Sequence, residues 1–103
     1  MVDLIITGGQ VVTPSGVGNL EVAIEGEQIV AVGQPGAIPS DGARVIDASG
    51  KIVIPGGVEP HAHIGGARQP ERSPAAPVSK AAIYGGTTTV LDFATQIPGH
   101  DLL

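Results

Sequence analysis

Through residue 55, glycine and proline fall between short apolar runs, and no helical periodicity competes with the interruptions. The chain of 103 residues holds 16 glycines and nine prolines. They are spaced between apolar segments and form no repeat, so they read as turns. Leu4-Ile5-Ile6 closes at Gly8-Gly9, and Gln10-Val11-Val12-Thr13 stops at Pro14-Ser15-Gly16. These two strands are expected to pair as a hairpin. Residues 20–25 alternate apolar and polar, as a half-buried strand does, and Gly26-Glu27 turns the chain into a strand over 28–32. Residues 34–42 form a loop. Short strands over 44–47 and 51–54 flank Ala48-Ser49-Gly50. The spacing predicts about six strands and an all-β arrangement for residues 1–55.

Pro55-Gly56-Gly57 marks a boundary, because the pattern changes after it. A strand over 58–64 ends in two histidines, and a loop rich in glycine, proline and charge covers 65–77. A helix is expected over 77–84, with Ser73 available as its N-cap and Gly85-Gly86 as its stop. Thr87-Thr88-Thr89-Val90-Leu91-Asp92-Phe93 is a β-branched strand. Strand, helix and strand at this spacing predict a βαβ unit and a parallel sheet. A lone two-stranded unit cannot cover its own edges. Residues 98–103 read as a loop entering a new helix, so the chain is expected to be part of something larger, and 56–103 the start of a second domain.

The balance of charges bounds the function. The formal charge is −5, with no basic run, which argues against a nucleic-acid surface. Cysteine is absent, so disulfides and thiolate metal sites are excluded. No apolar stretch approaches the roughly 20 residues that cross a bilayer, and Met1-Val2-Asp3-Leu4 lacks the start of a signal peptide. A soluble cytoplasmic protein is the expectation, with a core of isoleucine, valine, leucine and alanine, because Tyr84 and Phe93 are the aromatic residues.

His61-Ala62-His63 carries the chemistry. Side chains at i and i+2 of a strand point the same way, so both imidazoles project from one face. Neutral imidazole is a common ligand for zinc and similar metals. The plain alternative is two surface or core histidines on a strand. The setting favours ligation, because functional residues of parallel α/β barrels sit at the carboxyl ends of strands. The chemistry would be metal-assisted hydrolysis, in which a divalent ion makes water a nucleophile at neutral pH and polarises a carbonyl. Glu59 shares strand parity with the histidines and is a candidate for a role beside the metal; a bond to backbone or to a neighbouring loop is its plain reading. Asp92, at the end of the next strand, is a candidate to orient a ligand histidine or to cap a turn. Lys80 is expected on an exposed helix face. His100, Arg68 and Arg72 are expected in solvated loops, and Gly85-Gly86-Thr87 is not a phosphate loop.

Gly56-Gly57-Val58-Glu59-Pro60-His61-Ala62-His63 resembles the metal-binding segment of the amidohydrolase superfamily, nearest to its dihydropyrimidinase, hydantoinase and allantoinase branch. Residues 3–12, Arg44-Val45-Ile46-Asp47-Ala48-Ser49-Gly50-Lys51 and residues 80–93 resemble three further stretches of that branch, in the same order. The resemblance implies that residues 1–55 belong to a small composite β-sandwich-like domain. It implies that 56–103 begin a (β/α)8 TIM-type barrel holding divalent metal, with two zinc ions per complete site. His61 and His63 match the first two ligands. The bridging carboxylated lysine, two further histidines and an aspartate base would lie elsewhere, since neither Lys51 nor Lys80 occupies the lysine's place. The implied reaction opens a ring C–N bond of a cyclic amide, imide or ureide by metal-activated hydroxide. The implied partners are the rest of the barrel, a small cyclic substrate and further copies in a homo-oligomer. The chain alone would be inactive. Glu59 stands where the branch commonly has Asp, and residues 64–74 replace its usual loop. A mononuclear deaminase of the same superfamily is the first alternative, separated by one metal per site instead of two. A non-catalytic scaffold is the second, separated by an inability to bind metal.

Overall fold

The computed structural model describes residues 1–64, 75–93 and 98–99. The chain divides into two units, Met1–Ile54 and Pro55–Leu103. In the first, seven strands run β1 Leu4–Thr7, β2 Gln10–Thr13, β3 Gly16–Asn19, β4 Glu21–Glu25, β5 Gln28–Gly33, β6 Arg44–Asp47 and β7 Ile52–Val53. They form a four-stranded sheet in the order β5-β4-β1-β6 and a three-stranded sheet in the order β3-β2-β7.

The expected pairing of β1 with β2 does not occur. β1 pairs antiparallel with β4 and parallel with β6, whereas β2 pairs antiparallel with β3 and parallel with β7. Gly8-Gly9 therefore carries the chain from one sheet into the other and does not reverse it. Residues 44–53 follow the same route beside it. Leu4 is in register with Arg44 in the first sheet, and Gln10 with Ile52 in the second. Backbone bonds from Ala48 N to Thr7 O (2.8 Å) and from Gln10 N to Lys51 O (3.0 Å) hold the two paths together through the crossing. The hairpin lies one step later, where Pro14-Ser15 joins β2 to β3 and Thr13 faces Gly16.

Buried apolar side chains come from both sheets: Ile5 from β1, Val22 and Ala23 from β4, and Val11 from β2, together with Ala48 of the crossing. The buried Glu21 has both carboxylate oxygens engaged. Thr7 Oγ1 donates to one at 3.0 Å and Gly36 N to the other at 3.0 Å, so the charge is not left unpaired in the interior.

The turn before β7 is held by Asp47, whose Oδ1 accepts from Ser49 N at 2.8 Å and from Ser49 Oγ at 2.5 Å. The Ser49 hydroxyl, and then its amide, hold this carboxyl below its ordinary value. A depressed carboxylate pKa stabilises the fold above the unfolded carboxylate range, and that contribution is lost as pH falls through the lower, folded value. Ser49→Ala should move the Asp47 midpoint upward in a carboxyl titration followed by NMR. An unchanged midpoint would contradict the assigned cause.

The second unit holds β8 Gly57–Ala62, α1 Ala75–Tyr84 and β9 Thr87–Asp92. β8 and β9 pair in parallel, with Gly57 opposite Thr87, Glu59 opposite Val90 and Ala62 opposite Asp92. The helix ends where Gly85 N bonds to Ala81 O and Ala82 O, and Gly86 N to Ile83 O. Gly86 has φ +84, the left-handed conformation that stops a helix at little cost when no Cβ is present. α1 begins two residues before the expected start, and Lys80 is exposed on it. Ser73, Arg68, Arg72 and His100 lie outside the described residues. No described helix is long and apolar enough to cross a membrane.

Candidate metal centre

β8 ends at Ala62, so His61 is its penultimate residue and His63 the first beyond it. The parity of an extended chain survives that boundary. The two imidazoles are neighbours, with ring centroids 5.4 Å apart and planes at 71°, and both are exposed. An imidazole bound to zinc through one nitrogen puts its centroid about 3.2 Å from the ion, so two at a tetrahedral angle have centroids about 5 Å apart. The observed separation fits a shared ion. Among the described residues no group of three or more histidine, cysteine or acidic side chains gathers around one point. Two imidazoles are two donors short of a four-ligand tetrahedral set.

The neighbouring carboxylates serve the backbone. Glu59 Oε1 accepts from the His61 amide at 3.0 Å. Asp92 Oδ1 accepts from the Ile64 amide at 2.9 Å and from the Phe93 amide at 2.7 Å. One carboxylate thus fixes the main chain at the first histidine, and the other fixes it immediately after the second. Asp92 reaches across from β9 to do so, tying the end of β8 to its parallel neighbour. Glu59 and His63 also edge a cleft of about 370 Å³ whose other walls include Val78 and Ala82 of α1 and Val90 of β9.

Phe93 joins the group without having been singled out in the sequence. Its ring stacks on His63 at 4.6 Å and 15°, and meets His61 at 4.7 Å and 56°. The available signal was its position directly after Asp92, at the end of the strand beside β8. Nothing local indicates that one aromatic ring would reach both histidines.

No protein-family model matches the chain. It is 42% identical to the D-hydantoinase of Streptomyces coelicolor over 105 residues, covering 95% of this chain and 22% of that protein. It is 35% identical to the dihydropyrimidinase of Rattus norvegicus, covering 97% of this chain and 20% of the relative. Among solved structures, the D-hydantoinase of Bacillus sp. AR9 superposes with a TM-score of 0.81 at 37% identity, over 94% of this chain and 21% of that one. The chain is homologous to the N-terminal segment of hydantoinases and dihydropyrimidinases. The chain spans about a fifth of the length of the relatives it matches. The L-hydantoinase of Arthrobacter aurescens shares the fold as well, with a TM-score of 0.79 at 27% identity.

Proposed function

We propose that this chain is the opening segment of an enzyme that hydrolyses a ring C–N bond of a cyclic amide, imide or ureide, and that His61 and His63 hold a divalent metal at its centre. The observation that carries the proposal is the pair of imidazoles, 5.4 Å apart where β8 ends beside a parallel strand, in a chain with 42% identity to a D-hydantoinase. Residues 56–103 are read as the start of a (β/α)8 barrel, and residues 1–55 as part of a composite β domain.

His61 and His63 would hold the ion, zinc being the expected metal, and when bound it would supply Lewis acidity for activating water and a carbonyl. This chain's own contribution is to hold and orient. His61 and His63 present in-plane nitrogen lone pairs from one side of the strand end. Glu59 and Asp92 fix the main chain on either side of them through the His61 and Ile64 amides. The remaining ligands and the general base belong to the rest of the enzyme. Apolar side chains on the open strand pair, Val58 at 61% exposure and Leu91 at 51%, support a larger assembly that covers them.

The test uses the complete enzyme and a panel of five- and six-membered cyclic ureides, with ring opening followed as the release of the open ureido acid. Turnover should vanish after chelation and return with added zinc. Failure of the metal-replete enzyme to open any ring in the panel, or turnover indifferent to chelation, would contradict the proposal.

A further inference from the structure

We infer that Phe93 is a positioning residue that sets the two ligand imidazoles before the metal arrives. The inference rests on the reading of His61 and His63 as ligands and assigns what holds them. Both histidines are exposed and adjacent to one phenyl ring, which lies 4.6 Å from His63 and 4.7 Å from His61. Aromatic pairs at such separations attract through offset or tilted arrangements. The direction of contact matters more than its strength. Phe93 lies nearly parallel to His63, at 15°, and so covers the face of that imidazole. A ligating lone pair lies in the ring plane, so this contact restricts rotation while leaving the nitrogen edge open.

Phe93 is itself anchored. Its amide donates to Asp92 Oδ1, the oxygen that also accepts from Ile64, the residue after His63. One carboxylate therefore ties the main chain at Phe93 to the main chain directly after His63. A ring left to rotate must be ordered when metal binds, and that cost weakens affinity; groups that fix a ligand's orientation are worth about 10–100-fold in metal affinity.

The experiment measures zinc affinity by chelator competition in the complete enzyme carrying Phe93→Leu, Phe93→Tyr, His61→Ala or His63→Ala. Phe93→Leu keeps an apolar side chain and removes the ring. It should weaken zinc binding about 10-fold with the thermal midpoint of the zinc-free protein unchanged. Phe93→Tyr, which restores a ring, should bind as the parent does. In the zinc-free protein, the imidazole proton resonance of His63 should lose its ring-current shift in Phe93→Leu and keep it in Phe93→Tyr. Parental affinity in Phe93→Leu overturns the inference, as does equal weakening in both Phe93 variants. The ligand reading fails separately, if His61→Ala and His63→Ala both retain full zinc affinity.

Discussion

His61→Ala or His63→Ala in the complete enzyme is expected to remove bound metal and turnover together. Each substitution deletes a donor from a pair whose separation matches a shared ion. Groups that merely orient a ligand are worth about 10–100-fold in affinity or activity, so loss of the ligand itself should exceed ~100-fold. The Met1–Ile54 unit contains neither histidine, and its strands and buried side chains should persist. Metal analysis, turnover and circular dichroism on the same samples separate this result from unfolding. Near-parental turnover with full metal content would refute the ligand assignment.

Gly56→Ala is expected to give the largest loss of stability. A Cβ on Gly56 would lie 2.1 Å from Thr88 Oγ1, 2.3 Å from its Cγ2 and 2.7 Å from its Cβ. Rotation of the threonine clears at most one of the two nearest positions, because its Cβ carries two heavy atoms, and it leaves the Cβ itself, which is fixed to the backbone of β9. The strands must then part where β8 begins, at Gly57 opposite Thr87 and at the bond from Gly57 N to Gly86 O. Overpacking of this kind costs about 1–3 kcal/mol, and more where the backbone must move; the upper end is expected here. Hydrogen exchange should show lost protection in β8 and β9 and unchanged protection in β1 to β7. Thr88→Gly, which removes the opposing Cβ, should recover part of the loss in a double-mutant cycle. Parental protection in Gly56→Ala would contradict the close approach.

Much of this architecture is legible in the sequence because strands here are short apolar runs with glycine or proline at their ends. β4 shows itself in the alternation of Val22 and Ile24, although Glu21 and Ala23 on its other face are buried too, so it is not the half-buried strand that the alternation implies; α1 and β9 show the change of period after Pro55. β3 was not predicted, since Gly16-Val17-Gly18-Asn19 holds a single large apolar residue. It is a strand because β2 lies beside it. The hairpin assigned to β1 and β2 failed for a related reason. Gly8-Gly9 signals a change of direction but not whether the chain reverses or crosses to another sheet. The parallel partners that decide it, β6 and β7, lie some forty residues away. The imidazole pair was visible because parity along an extended chain is local. Phe93 was not, because its contact with both histidines depends on the register between β8 and β9.

The central claim is that His61 and His63 share a metal ion. Anomalous diffraction at the zinc edge from crystals of the complete enzyme tests it most directly. The account predicts an ion about 2.0–2.1 Å from a ring nitrogen of each histidine, with Phe93 against the face of His63. An ion bound elsewhere, with the two rings turned apart, would contradict it.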